Sequence, residues 1–319
     1  AIDTTKQKWG DWDSPNWLRY FGLAFNDVDN DGYMDIISGK YVYHNPGNDM
    51  MDNWKRTELE ENVDAILSVD VDGDAYADII AQALPDVYWY EATNKEGTEY
   101  TRTRIARVPA TDHTNSQGFE TVDLISNGKE EILISGEGGV FAISIPGENK
   151  KQGNWPTQMI AKNTSSEGIG TGDLDGDGDT DIAIGRVPEG AKAPTKLTWF
   201  ENPGSVKHPW KDHIVGTTKH AIDRVEITEL TGDEQNEIVV TEERYPGKQP
   251  DASMYWFSKN NSNSAKWNRH SIVTQYSMNN LDVGDIDKDG DTDILTSEHK
   301  GPNLELQLWE NNGKAQFSK

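Results

Sequence analysis

Asp173-Leu174-Asp175-Gly176-Asp177-Gly178-Asp179-Thr180-Asp181-Ile182 sets a carboxylate at every second position and ends on an apolar residue. The pattern recurs at Asp27-Val28-Asp29-Asn30-Asp31-Gly32-Tyr33-Met34-Asp35-Ile36, at Asp70 to Ile79 and at Asp285 to Ile294. Two weaker copies fill the gaps, Asp123 to Ile132 and Glu229 to Ile238. The six starts are 43, 53, 50, 56 and 56 residues apart, a period that belongs to propeller blades or solenoid units.

Each repeat carries more than its acidic turn. A short apolar strand precedes it, as in Ile66-Leu67-Ser68-Val69 or Leu281 to Gly284. A second follows, as in Ile182-Ala183-Ile184-Gly185, and then a third, as in Val42 to Gly47, Leu197 to Gly204 and Leu306 to Gly313. A fourth opens on an aromatic residue: Trp54, Tyr100, Trp155, Trp210, Trp267 or Phe317. Short strands separated by Gly, Asn and Pro signals, with no sustained 3.6-residue periodicity, predict an all-β chain. Four antiparallel strands per repeat describe a propeller blade. The expected fold is therefore a single β-propeller domain over residues 1–319, with six blades by repeat count over about 20–319 and seven as the alternative. Residues 1–20 are expected to close the ring against the last blade.

Composition narrows the partners. The formal net charge is −25 and the sequence pI about 4.5, so the surface repels nucleic acid and anionic membranes and suits cations or uncharged ligands. There is no cysteine, which excludes disulfides and thiol catalysis. No apolar run approaches the ~18 residues of a membrane-spanning helix. The chain begins at Ala1 rather than Met, which suggests a removed signal peptide and a secreted or periplasmic protein.

Carboxylates at positions 1, 3 and 5 of a tight loop converge on one ion, glycine at 6 permits the turn, and the carbonyl at 7 adds an oxygen. Here the last carboxylate sits at 9. The expected ligands are Asp27, Asp29, Asp31, Tyr33 and Asp35; Asp70, Asp72, Asp74, Tyr76 and Asp78; Asp173, Asp175, Asp177, Asp179 and Asp181; and Asp285, Asp287, Asp289, Asp291 and Asp293. The second loop departs from the pattern at position 6, where Ala75 replaces glycine. Hard oxygen donors in this number favour calcium over zinc. Four such ions would bring the formal charge to −17. The loops of the third and fifth repeats have Ile125 and Thr231 at the second ligand position and are expected to bind no metal. The ions are read as structural, clamping hairpins.

These Asp-x-Asp-x-Asp-Gly-x-x-Asp-Ile units resemble FG-GAP/VCBS repeats, found in integrin α-chain propellers and many secreted bacterial proteins. The resemblance covers about residues 20–319. It implies a calcium-binding propeller, and a range of functions that includes adhesion modules, fungal and bacterial lectins, and propeller polysaccharide lyases. Most relatives of this kind have seven blades.

The other end of such blades is built by the loops between blades and the loops joining second to third strands. Those loops hold Arg19, Tyr20, Lys40, Tyr41, His113, Arg186, His220, Arg244, Tyr245, Tyr276, His299 and Lys300, with Arg224 just inside a strand. Elimination on a uronic-acid polymer needs a base such as His or Tyr, an acid for the leaving oxygen, and a group that stabilises the developing charge. His220, His299 and Arg244, on neighbouring fifth and sixth repeats, lead the candidates, followed by Tyr245, His113, Arg224 and Tyr276. They do not recur at equivalent positions, which favours one unique site and a lyase over a lectin with repeated pockets. A glycoside hydrolase would need a carboxylate pair, for which Glu242, Glu243 and Glu298 are available. His208, His213 and His270 and the recurring tryptophans are read as blade packing, and His44 as structural. Trp9, Trp12 and Trp17 do not recur, and suit ring closure or sugar stacking.

Overall fold

A computed structural model describes residues 2–3, 20–60, 62–74, 76–207, 209–245, 247–259 and 266–319. Arg19, the three tryptophans at 9, 12 and 17, His208, and the ring closure expected of the N-terminal segment lie outside them.

Six antiparallel sheets follow one another along the chain, each in sequential strand order. The first blade is β1 (Leu23–Asn26), β2 (Asp35–Ser38), β3 (Tyr41–His44) and β4 (Lys55–Glu58). The second is β5 (Asp64–Val69), β6 (Asp78–Ala83), β7 (Asp86–Ala92) and β8 (Tyr100–Arg107). The third is β9 (Phe119–Val122), β10 (Glu131–Gly136), β11 (Gly139–Ser144) and β12 (Thr157–Lys162). The fourth is β13 (Gly170–Gly172), β14 (Asp181–Arg186), β15 (Lys196–Glu201) and β16 (Lys211–Thr217). The fifth is β17 (Ala221–Glu229), β18 (Asn236–Glu243), β19 (Ala252–Lys259) and β20 (Trp267–Gln275). The sixth has β21 (Met278–Gly284), β22 (Asp293–Glu298) and β23 (Leu306–Trp309), and a single bridge from Glu310 to Ser318 stands where a full fourth strand was expected at Phe317. The fold is a six-bladed β-propeller, as the repeat count predicts.

The chain packs as two compact units. One comprises residues up to 121 with 130–137 and 141–158, and the other 122–129, 138–140 and 159 onward. Within each, neighbouring blades bury their faces together. Ile37 and Val42 of the first blade meet Ile79 and Ala81 of the second. Ala183, Leu197 and Trp199 of the fourth meet Ile238, Val240 and Phe257 of the fifth, whose Val239 and Met254 meet Ile294 and Trp309 of the sixth. A second strand covered on both faces needs a continuous apolar run, not an alternating one. This explains the Asp-Ile-Ile, Glu-Ile-Leu, Asp-Ile-Ala, Glu-Ile-Val and Asp-Ile-Leu segments that follow the acidic turns.

The recurring tryptophans have a defined task. Trp54, Trp155 and Trp210 sit just before β4, β12 and β16, are buried, and donate Nε1–H to the carbonyls of Met50, Lys150 and Ser205 at 2.9–3.0 Å. They lock the loop between third and fourth strands. His213 stacks on Trp199 with ring centroids 4.3 Å apart, and His270 on Trp256 at 3.8 Å, in keeping with the packing role read from the sequence.

Candidate functional site

The acidic loops form between first and second strands. Their backbone is shaped by their own side chains, since short carboxylates accept from amides two to five residues on. Asp173 accepts from the amides of Gly176 and Gly178 at 2.7 and 3.0 Å, and Asp177 from Asp179 at 2.9 Å. Asp27 accepts from Asp31 and Gly32 at 3.0 and 2.9 Å. At position 6, Gly32, Gly178 and Gly290 have φ of +91°, +92° and +99°, the left-handed region where glycine has no Cβ clash.

The position-9 carboxylates do a second job that sequence reading missed. Asp35, Asp78, Asp181 and Asp293 are all about 1% exposed. In each, one oxygen accepts from the amide of loop position 2 (Val28, Val71, Leu174, Ile286) at 3.0–3.1 Å. The other accepts from the amide at or just past the end of the third strand (Asn45, Ala92, Asn202, Asn311) at 2.7–2.9 Å. The side chain thus staples the hairpin to its neighbour strand. Burial raises the pKa of Asp78 and of Asp181 to about 7.

Carboxylate oxygens from Asp27, Asp29 and Asp31, from Asp70, Asp72 and Asp78, from Asp173, Asp175 and Asp181, and from Asp285, Asp287 and Asp289 lie within 4.8 Å of one another in four separate groups. Burial and the next carboxylate together raise the pKa of Asp29, Asp72 and Asp175. Crowded anions of this kind, all oxygen donors, have the chemistry that a hard divalent cation satisfies.

At the opposite loop end of the fourth to sixth blades lies a cluster of mixed charge. Its centre is a bulge. The register of β17 against β18 shifts between Ile222 and Val225, and that of β21 against β22 between Met278 and Asn280. A bulge re-aims side chains that would otherwise alternate across the sheet. Asp223 and Arg224 occupy the first bulge and Asn279 the second, and Asn279 Nδ2 donates to Asp223 Oδ2 at 2.9 Å. Arg224 Nη1 lies 3.0 Å from Asp223 Oδ1 and 3.5 Å from Glu167 Oε2. Glu243 pairs with Lys300 and lies 3.9 Å from His299 Nε2. Burial pushes the carboxyls of Glu167 and Asp223 upward against the pull of Arg224, and the charge of Glu243 adds to the rise. Burial, then the Lys300 charge, holds His299 below the usual imidazole value, so the half-exposed ring is neutral and able to accept a proton near neutral pH.

Beside this cluster, Asp251 accepts from Lys219 at 2.9 Å, holds Arg244 Nε at 2.7 Å and lies 3.4 Å from His220 Nε2. The Lys219 contact leads in keeping its carboxyl below the usual range. Ser277 links the two groups: its hydroxyl accepts from the Arg244 amide at 2.8 Å, and its carbonyl accepts from the His299 amide at 2.7 Å. Tyr245 is 87% exposed, with Lys300 Nζ 5.2 Å from its ring centre.

The structure therefore brings His299 and Arg224 into one cluster with Glu243. It sets His220 and Arg244 on a shared carboxylate, and leaves Tyr276 half-buried between β20 and β21. His113 lies in the other compact unit, its ring 6.0 Å from that of Phe21. Glu242 and Glu298 are buried backbone acceptors. Glu242 takes the amides of Lys219, His220 and Ser253, and Glu298 those of Asn303 and Leu304, so neither is free as a member of a catalytic pair. Arg186 pairs with Asp212 at 2.5 Å and Lys40 with Glu58 at 2.6 Å. Glu167, Asp223 and Asn279 were not singled out from the sequence. The one available signal was the Asp223-Arg224 pair interrupting an apolar strand.

The fold and its acidic hairpins define the class, a β-propeller with acidic loop repeats. Residues 229–296 match the family described as FG-GAP-like repeat, so the chain carries that repeat within its fifth and sixth blades. A solved lectin of Agrocybe aegerita, described as recognising non-reducing terminal N-acetylglucosamine, is similar in fold. Its TM-score is 0.58 at 17% identity, over 93% of this chain and 78% of that one. BBS1N in complex with ARL6DN aligns over 94% of both chains with a TM-score of 0.47 and 10% identity. A search of curated proteins finds no match.

Proposed function

We propose that the loop end of the fourth to sixth blades is a glycan site, and that its reaction is β-elimination on a uronic-acid polymer. The observation that carries this reading is the neutral, half-exposed His299 held among Glu243, Lys300 and Arg224. His299 takes the proton α to the uronate carboxylate as the bond to the β-linked leaving oxygen breaks and the double bond forms, and the leaving oxygen takes its proton from solvent. Arg224, whose neighbour Glu167 has its carboxyl raised by burial, offsets the charge that develops on that carboxylate. The exposed Tyr245 contributes a face for a sugar ring. The test is the far-ultraviolet absorbance of unsaturated uronide during incubation with a panel of acidic polysaccharides. Product that forms with the wild type and falls at least about a hundredfold in rate in His299→Ala supports the reading. Product formation unaffected by His299→Ala refutes the assignment.

A second reading, glycan binding without cleavage, is favoured by one observation: Arg244, Lys219 and Lys300 are each already engaged by a carboxylate. Binding of a polysaccharide with no product on any substrate would establish it.

We further propose that the four complete acidic loops hold calcium, with Asp27, Asp70, Asp173 and Asp285 leading the ligand sets, and that the protein works in a calcium-rich, extracellular setting. Calcium supplies rigidity to the hairpins. A chelator that leaves the melting temperature unchanged would refute it.

A further inference from the structure

The first acidic loop faces a residue unlike those of its counterparts. Across from position 9, on the third strand, stand Glu91 in the second blade, Glu201 in the fourth and Glu310 in the sixth, but His44 in the first. The Ile36–Tyr43 pairing places His44 opposite Asp35. Glu91 and Glu201 are engaged by cations, Lys151 at 2.6 Å and Lys211 with His213 at 2.8 and 2.7 Å. His44 instead has Nε2 2.9 Å from Thr57 Oγ1, while its Nδ1 is shut off from solvent with no hydrogen-bond partner. Asp29 Oδ1 is buried and unpartnered in the same way. A ring nitrogen of His44 and one oxygen each of Asp29 and Asp35 lie within 4.8 Å of one another.

We propose that Asp29, Asp35 and His44 form a site for a borderline divalent cation of the zinc class, different in kind from the all-oxygen loops of the other blades. With Nε2–H donating to Thr57, Nδ1 carries the lone pair, and the outer hydrogen bond fixes both tautomer and ring. Imidazole beside carboxylates suits zinc, whereas calcium takes oxygen donors. Asp35 is already oriented by the amides of Val28 and Asn45. Three protein ligands leave a position for water. A cavity of about 870 Å³ lined by Asp29 and His44 gives the ion a way in. Lys55 and Arg56 also line it, and Arg56 is held by Asp3 at 2.7 Å. Asp29 and Asp35 both belong to the proposed calcium loop as well, so the experiment must separate the two.

The experiment is calorimetric titration of Zn²⁺ into the full chain in calcium-saturated buffer, with His44→Gln and His44→Glu beside the wild type. The expected result is one zinc per wild-type chain, weakened at least about tenfold in His44→Gln. His44→Glu, which installs the residue of the other complete loops, should lose zinc likewise while adding calcium affinity. The calcium-induced rise in melting temperature, to which the second, fourth and sixth loops contribute without His44, shows that the variants are folded. It also tests the calcium reading independently of zinc. No zinc uptake by the wild type, or uptake unchanged in His44→Gln, overturns the proposal.

Discussion

The fourth and fifth blades carry the same hairpin with different donors. In the fourth, Asp173, Asp175 and Asp181 bring three oxygens within 4.8 Å. In the fifth, Thr231 stands where Asp175 would be, and no such group forms there among the described residues. The turn is nonetheless the same. Glu229 accepts from the amides of Thr231, Gly232 and Asp233, Asp233 from Gln235, and Glu237, 2% exposed, from Leu230 at 2.9 Å. The first and last carboxylates therefore serve the backbone, and the residue at position 3 sets how many carboxylate oxygens converge. The fifth loop even keeps the left-handed residue at position 6, with Glu234 at φ +66° where the fourth has Gly178.

The largest test of this division is Asp181→Ala. It leaves the amides of Leu174 and Asn202 without acceptors and should cost about 3 kcal/mol in urea denaturation, even in the presence of chelator. A loss that appears only with calcium would make Asp181 a ligand and nothing more. Next, Asp175→Asn should be within about 0.5 kcal/mol of wild type in chelator. At a hundredfold excess of calcium over Kd it should lack one increment of about 2.7 kcal/mol. Thr231 variants should lack none.

A third test uses pH. Burial, with help from Asp233 and Glu229, raises the pKa of Glu237 from 4.5 to about 7 against the Leu230 hydrogen bond. A carboxyl whose folded pKa lies above its unfolded one gives stability that is whole below the unfolded value and is lost as pH climbs to the folded one. Calcium-free protein should thus lose stability from about pH 4.5 to about 7, and Glu237→Gln should make that part of the profile less steep, with Asp78 and Asp181 supplying the rest, read as melting temperature against pH. An unchanged slope would place the titration elsewhere. The smallest effect is expected of Glu234→Gly, which relieves a left-handed residue and should stabilise by about 0.5–1 kcal/mol after the entropy glycine costs.

Sequence reading reached furthest where one residue fixes one local geometry. Glycine at position 6 and aspartate at 1 and 5 act within their own turn, so Gly32 and Asp27 could be assigned before any packing was known. Trp54, Trp155 and Trp210 were legible as packing because they recur at one blade position. The charged cluster was legible only in part. His299 and Arg224 stood out as reactive residues near loops, but Glu242 and Glu298 looked equally available and are in fact saturated by backbone amides.

By itself the sequence determined the six-blade repeat, the place of the acidic hairpins and the burial of the second strands, because these follow from periodicity and short-range hydrogen bonding. Only the tertiary structure decided which carboxylates staple strands, that Asp223, Arg224 and Asn279 converge through bulges in two different blades, and that His44 turns toward Asp29 and Asp35. Those relations join residues 7 to 56 positions apart, and a bulge shifts which face a side chain occupies, which the Asp223-Arg224 pair alone marks in the sequence without showing its partners.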